Sequence, residues 1–573
     1  MARPAALYAG RPDGRSCQQE EGSMGTENGQ PVREERYDLV IVGGGIIGLG
    51  AARDAALRGL RVALVEKEDY GWGTSNRATR LAHGGLRYLE QYDFGLVRED
   101  LRERERLFRN APHLVTPLSF VLPLYDSSLF FRLKLRAGMI LYDALSYDKS
   151  LPIHCHLNTD EALALEPGLR RQGMKGAFMY YDGQITFTER LNVENAIAAK
   201  EAGATLYNHT RAVDLIRQGD AVSGVLAEDT LTGQRYSLRA RLVLNAAGPW
   251  LDTIAALLGR HTRLSRRTKG VHLVMPKVGD HAVVLYAKSD GRLFFVVPWN
   301  GYSLVGTTDT DYTGNLDRIV TDREDAEYLL HEVRAAYPNA PWSPIHFTWA
   351  GVRSLMQIEG VPESDVTRKH LLYDHTKDGV PGLLSVVGGK LTAYRSVAED
   401  VVDTACRLLR VQAKSTTADL PLPGGMVGGH FDTYLQAHSE AQAHRLGVEP
   451  ETVEHLIHVY GARYSRVLAY LEARPELAAR VSPSHPDILA QVLYAVEEEQ
   501  ARTLADVLLR RLTVGMSAGR GRDGADAVAA LLADTLGWDN ARLRSERAQL
   551  DEQLSLGAAP PLEQIAPPLP AAV

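Results

Sequence analysis

Apolar positions follow three regimes along the chain. In the first, they run without alternation. Asp38-Leu39-Val40-Ile41-Val42 predicts a strand buried on both faces, as in a parallel sheet. Gly43-Gly44-Gly45-Ile46-Ile47-Gly48 follows, and then helical spacing from Ile47 to Leu57, with Gly59 placed to end that helix. Arg61 to Val65 is a second strand, ending at Glu66. Two more strands of this kind lie far downstream: Leu242 to Asn245, closed by Ala246-Ala247-Gly248-Pro249, and Leu383 to Val387, closed by Gly388-Gly389. In the second regime, Tyr286, Leu293 to Val297 and Tyr302 to Val305 read as antiparallel strands, with Asn300-Gly301 as a tight hairpin turn. In the third, beyond about Ala413, a Thr/Pro/Gly linker gives way to helical periodicity. It covers Phe431–Leu446, Val453–Tyr460, Tyr464–Ala473, Asp487–Gln500 and Leu504–Leu512.

These regimes predict an α/β protein: a discontinuous Rossmann-like dinucleotide domain, a β-rich domain inserted into it, and a helical C-terminal domain. The boundaries read from the sequence place the dinucleotide domain in 37–105, 186–262 and 349–413. The inserted domain takes 106–185 and 263–348, the linker 414–425 and the helical domain 426–545. Residues 1–36 are polar and mixed in charge and read as a disordered extension; Glu20, Glu21 and Glu34 argue against a transit peptide. Met24 is an alternative start to Met1. The Pro/Ala-rich end, 546–573, reads as a second disordered tail.

Composition changes little in this picture. The chain has 573 residues and a net charge of −7, with no arginine- or lysine-dense stripe, which disfavours nucleic acid as a partner. Cys17, Cys155 and Cys406 form no CxxC pair, so neither a disulfide framework nor a zinc or other metal site is expected. No run of about 18 uncharged apolar residues occurs, so no membrane span is expected.

The candidate chemistry starts at the first glycine turn. Gly43 permits a tight turn, Gly45 keeps side chains away from a pyrophosphate, and Gly48 lets helix and strand pack closely. The helix start at Ile46 and Ile47 offers free N–H groups to phosphate, and Glu66 can accept from ribose hydroxyls. After Glu66 the sheet does not continue at once. It enters a long polar excursion through Lys67, Thr74 and Ser75, and resumes only at the strands closed by Gly248 and by Gly388-Gly389-Lys390-Leu391-Thr392. Interrupted sheets of this kind point to FAD rather than NAD. Gly389-Lys390 is not a phosphate-binding Walker loop, because Leu384 and Leu391 occupy positions that need Gly and Ser/Thr. Gly515-x-Ser517-x-Gly519 follows a helix, not a strand, and reads as a loop rather than a nucleophile elbow.

Four segments then gather basic and small polar residues with glycine: Thr74 to Tyr88, Lys269-Gly270-Val271-His272, Gly351-Val352-Arg353-Ser354, and Gly388 to Arg395. Such a set suits an anionic substrate. The stretches DLVIVGGGIIGLGAARDAALRGLRVALVEKED, HGGLRYLEQYDFGLVRE, NAAGPWLD, KGVHLVMP, PWNGYSLVGTTDTDY, WAGVRSL and LLSVVGGKLTAYRSVAED resemble the FAD-dependent, quinone-linked glycerol-3-phosphate dehydrogenases. HVYGARYSRVLAYL and EEEQARTLADVLLRRLTVG are similar to that family's helical cap domain. Ser354, where relatives commonly have proline, and Arg80, where they often have lysine, depart from the pattern.

The resemblance implies hydride transfer from C2 of glycerol 3-phosphate to flavin N5, giving dihydroxyacetone phosphate. Arg87, Tyr88, Arg353, Arg368 and Lys390 would line the pocket, with Arg353 and Arg87 on the phosphate and Lys390 at the flavin N1/O2 edge. His83 and His272 are both candidates for the base. Quinone as acceptor and peripheral attachment to the cytoplasmic membrane face follow from the resemblance, with a homodimer left open. Leu129 to Leu145 reads either as a helix lying on that surface or as a core helix with a solvated end. The rivals are a glycerophosphate oxidase using O₂, another flavin oxidase of an anionic amino or hydroxy acid, and a flavin-binding sensor without turnover.

Overall fold

Asp38 to Val42 forms a strand with Leu39, Val40 and Ile41 inaccessible to solvent. It is the last part of a longer strand, Gln30–Val42. The computed structural model describes residues 23–27, 30–90, 92–259, 263–357 and 369–562. Five strands run parallel in the spatial order Leu383–Val387, Arg235–Asn245, Gln30–Val42, Val62–Val65, Thr205–Tyr207. Leu371–Asp374 adds an antiparallel edge, and the ribbon Thr210–Gln218 and Ala221–Asp229 extends from Arg235–Asn245.

Both faces of this sheet are covered, which is why its strands read as unbroken apolar runs. Helices Ile46–Leu57, Thr188–Glu201 and Tyr394–Leu409 pack over Leu39, Ile41, Leu64 and Leu244. Val40, Val42, Ala63 and Val243 face the other way, against Leu215, Val225 and Leu258. The parallel strands end at Gly43, Glu66, Ala246 and Gly388, so four segments remote in sequence meet at one edge, where open α/β sheets bind ligands.

The second sheet has ten strands among the described residues, nearly all antiparallel. The hairpin turn has the conformation read for it, with φ of 46° at Asn300 and 77° at Gly301. Phe347–Met356 pairs along Ser265–Pro276 from Phe347 to Met356, so Gly351 to Arg353 belong to this sheet and not to a third dinucleotide segment starting at 349. Leu81–Ala82 likewise pairs with Met174–Ile185.

The two expected tails are shorter than read. Ser23–Glu27 pairs with the start of Gln30–Val42, and Arg33 to Tyr37 pair with Tyr236 to Ala240, so strand structure begins inside 1–36 and takes in Met24. Main-chain hydrogen bonding carries this pairing, and it leaves no apolar signature. At the other end, helix Asn540–Ser555 runs past 545, and Gly557 O accepts from Thr348 N. The linker is also no loose tether. Leu422 to Gly425 are buried, and Arg53 donates to Leu420 O at 2.6 Å.

In the C-terminal domain Phe431–Leu446 and Tyr464–Ala473 form as read. Asp487–Gln500 shortens to Ala490–Glu497, and Leu504–Leu512 becomes one α-turn, Leu504–Asp506, continued as a π-turn, Val507–Arg511. That π-turn carries Arg510 and Arg511, both paired with Asp69 of the first domain at 2.7 Å, and Arg190 pairs with Glu499. Buried charges locked by partners across a boundary make domain separation costly.

Candidate active site

A cavity of about 900 Å³ opens at the ends of the parallel strands and reaches across to the second sheet. Its dinucleotide end is shaped by steric exclusion. Gly43 has φ of 113°, and a Cβ there would lie 2.6 Å from Ala246 O. A Cβ on Gly48 would lie 1.9 Å from Gly43 O, so only glycine lets this helix sit so close to its strand. Gly45, Ile46 and Ile47 line the cavity, and the first turn of the helix carries no acidic residue to oppose a phosphate. Ser75 Oγ accepts from Ile46 N at 2.9 Å, and Thr74 Oγ1 donates to Val352 O at 2.5 Å. Those two side chains hold the turn in place.

Glu66 Oε2 accepts from Gly44 N at 2.7 Å and Oε1 from Glu68 N at 3.0 Å. Burial pushes its carboxyl upward while these N–H groups pull it back. Lys67 pairs with Asp317 and lies over the Trp250 ring. Gly248, with φ of 54°, lines the same wall. At the far glycine turn, Gly388 and Gly389 have φ of 76° and 104°, and a Cβ on Gly389 would strike Ile47 Cδ1 at 2.8 Å. The two turns thus close on each other, with Lys390, Leu391 and Thr392 lining the cavity.

The chemical end carries charge. Lys390 bonds to Asp100 and lies 4.3 Å from the centre of the Tyr88 ring. Burial works against the ammonium, but Asp100 raises its pKa overall, so Lys390 stays charged. Burial pushes Asp100 itself up to about 7, against the pull of Lys390. Arg353 donates to Asp309 Oδ1 at 3.1 Å and Thr307 Oγ1 at 3.0 Å. A side chain on Gly270 would reach within 2.4 Å of that guanidinium, which explains the glycine in Lys269-Gly270. Lys269 itself turns away, onto Asp322 and Asp325 at the start of a helix.

His83 N donates to Thr392 Oγ1 at 3.1 Å, and its ring packs edge-on to Phe295. His272 Nε2 lies 2.9 Å from Thr79 Oγ1, its ring against Trp349. Burial, reinforced by Lys390 and Arg104 for His83 and by Arg353 and Arg80 for His272, holds both down to about 3. Both are neutral imidazoles near pH 7.

The cavity therefore gathers His83, His272, Tyr88, Arg353 and Lys390. Arg87 opens a short helix beside them, and its side chain lies outside the described set. Arg368 lies outside the described residues. Sequence reasoning missed Asp100, Trp72, Thr210 and Asp309. Asp100 carries no local signal, since it sits mid-helix in Phe94–Asn110. Thr210 reaches the wall through a ribbon, donating its N–H to Glu66 O at 2.6 Å.

A glycine cradle at one end and a charged, imidazole-bearing end at the other, in one cavity of dinucleotide size, fit FAD and define a flavin-dependent oxidoreductase. The FAD dependent oxidoreductase family model matches residues 38–395, and the model for the C-terminal domain of alpha-glycerophosphate oxidase matches 415–543. Glycerol-3-phosphate dehydrogenase from Synechocystis is 39% identical over 547 residues, 92% of this chain and 98% of that protein. Aerobic glycerol-3-phosphate dehydrogenase from Staphylococcus aureus is 34% identical, covering 91% and 95%. The structure of glycerol-3-phosphate dehydrogenase from Bacillus halodurans complexed with FAD superposes with a TM-score of 0.76 at 30% identity, covering 92% and 96%. The chain belongs to the FAD-dependent glycerol-3-phosphate dehydrogenase family.

Proposed function

We propose that this protein oxidises sn-glycerol 3-phosphate to dihydroxyacetone phosphate and passes the electrons to a membrane quinone. The observation that carries the substrate reading is the meeting of Arg353, Lys390 and a neutral imidazole in one cavity with the glycine cradle. Bound FAD supplies the two-electron acceptor for the hydrogen on C2. Arg353, with its planar fork of donors, holds the phosphate. His83 takes the hydroxyl proton from C2, its ring kept neutral by burial beside Lys390. His272 is the second option for that step, less favoured because Thr79 already engages its Nε2. Lys390, steadied by Asp100, offsets negative charge that builds beside it.

The acceptor reading rests on the cavity mouth. Phe131, Lys134, Leu135 and Leu141 of helix Leu129–Leu145 line it. Met139 and Tyr142 of this helix are buried, but its other face is open: Phe130 is 78% exposed, Leu133 56% and Ile140 55%. With Arg132, Lys134 and Arg136 among them, these side chains suit peripheral attachment to the anionic, cytoplasmic face of a membrane. Among the described residues no helix is long and apolar enough to cross one.

Anaerobic mixing with glycerol 3-phosphate tests the substrate. The visible absorbance of oxidised flavin should bleach, and no bleaching would refute it. Readmission of air tests the acceptor: stoichiometric peroxide release, without quinone reduction, would favour the oxidase.

A further inference from the structure

Behind the flavin cavity lies a second, smaller cavity of about 100 Å³, walled in part by Trp72, Arg77 and Arg80, which line both. It sits where the turn Thr74–Asn76, the strand Phe347–Met356 and the C-terminal domain meet. Four arginines line it, and they fall into two kinds. Arg80 is paired with a carboxylate, holding Glu189 through two bonds of 2.7 and 2.8 Å, although its buried Nε has no partner. Arg510 is paired too, with Asp69 at 2.7 Å, Asp506 at 2.6 Å and Gln553 at 3.1 Å.

Arg77 and Arg520 have no carboxylate partner among the described residues. Arg77 lies over the Trp72 ring and makes one long bond, 3.4 Å, to Ala350 O. Arg520 lies over the Phe347 ring, and its buried Nε has no hydrogen-bond partner. Burial lowers both guanidinium pKa values to about 10; Arg510 adds to this at Arg77, and Arg80, Arg522 and Arg77 add to it at Arg520. A further donor waits there. Asn76 is nine-tenths buried and its Nδ2 is unpartnered, while its Oδ1 accepts from Asn192 at 3.0 Å. Among the described residues the only carboxylate on this wall, Glu189, is already committed to Arg80.

Two half-buried guanidiniums without a carboxylate partner among the described residues, one with a buried, unpartnered Nε, and an idle buried amide donor surround one small cavity and leave positive charge and donors without an acceptor. We propose that this cavity binds a small oxyanion, of the size and chemistry of inorganic phosphate, between Arg77, Arg520 and Asn76. The volume equals that of roughly three waters, enough for such an ion and too little for a nucleotide. The anion ties the C-terminal loop bearing Arg520 to the turn that carries Ser75, and Ser75 caps the FAD-binding helix at Ile46. Its function is therefore to couple anion concentration to the hold of the C-terminal domain on the cofactor site.

The test is the melting temperature of the holoenzyme, read by flavin release, in inorganic phosphate against chloride at matched ionic strength. Phosphate should raise it saturably in the wild type and in Arg353→Ala, which lacks the proposed substrate contact. The rise should vanish in Arg520→Gln and partly return in Arg520→Lys, while phosphate still competes with substrate in Arg520→Gln. An equal rise in chloride, or an undiminished rise in Arg520→Gln, overturns the proposal. If Arg520→Gln does not fold, selenate soaked into wild-type crystals decides: an anomalous peak between Arg77 and Arg520 supports the site and its absence refutes it. Failure of the bleaching experiment would leave this result standing, because the two sites are probed by different variants.

Discussion

The two glycine turns face one cavity but work by different physics. At Gly43 to Gly48 the constraint is space: the atoms a side chain would meet are main-chain carbonyls, at 2.6 Å for Gly43 and 1.9 Å for Gly48. Backbone cannot rotate out of the way, so shape and the helix dipole make this site. At Gly388 a Cβ would meet nothing closer than 3.5 Å, and the glycine is there for its φ of 76°. The second turn leads directly into charge, Lys390 held between Asp100 and the Tyr88 ring. One turn offers the cavity its backbone and a helix start; the other presents an ammonium to the same cavity.

Substitutions can separate the two. The largest effect is expected for Gly48→Ala, where overpacking of roughly 1–3 kcal/mol or more should deplete the purified protein of flavin. The flavin-to-protein absorbance ratio measures this, and a normal ratio would break the steric account. Lys390→Met should keep flavin but slow its anaerobic reduction roughly 10²- to 10³-fold, the usual cost of losing a group that stabilises developing charge. A rate within about threefold of wild type would remove Lys390 from that role. Arg353→Ala should raise KM for glycerol 3-phosphate by roughly 10- to 100-fold, equivalent to about 1.5–3 kcal/mol for a charged hydrogen bond. Steady-state kinetics would show it, and an unchanged KM would place the phosphate elsewhere.

A pH effect comes next in size. His272 is held down to about 3 in the fold, below the ordinary 6.5, mainly by burial. The unfolded chain therefore binds its proton first. The stability this gives is present above about 6.5 and is lost as pH falls toward 3. In His272→Gln the melting temperature should fall less steeply over that window, and parallel curves for variant and wild type would contradict the burial. The smallest effect is expected at Gly248. Its φ is 54° and no atom lies within 4 Å of where a methyl would stand, so Gly248→Ala should cost about 1 kcal/mol of backbone strain. Flavin should stay bound far better than in Gly48→Ala, which isolates φ from contact.

Much of the fold was legible because burial on both sides of a sheet leaves an unmistakable run of apolar residues. Leu383–Val387 and Tyr464–Ala473 form with the limits read from such patterns. The parts that were not legible share a cause. The strand from Gln30 is held by main-chain pairing with Tyr236 to Ala240, and the helix to Ser555 has few buried residues, so neither shows a strong hydrophobic period. Arg353 was singled out beside its glycine, yet the strand that carries it pairs with Ser265–Pro276, in the other sheet. Strand pairing is non-local, and no window around Arg353 contains its partner.

By itself the sequence determined what is local: the glycine turn with its acidic strand end, the apolar strands, the helical C-terminal domain, and the residue types needed for an anionic substrate. Those properties follow from backbone freedom and from spacing within a few residues. Only the tertiary structure decided that Lys390 rests on Asp100, that Lys269 faces away while Gly270 makes room for Arg353, and that Arg77 and Arg520 stand without carboxylate partners among the described residues. The reason is that a charge acquires its meaning from neighbours hundreds of residues away, brought close by packing, and burial then fixes which of them is paired.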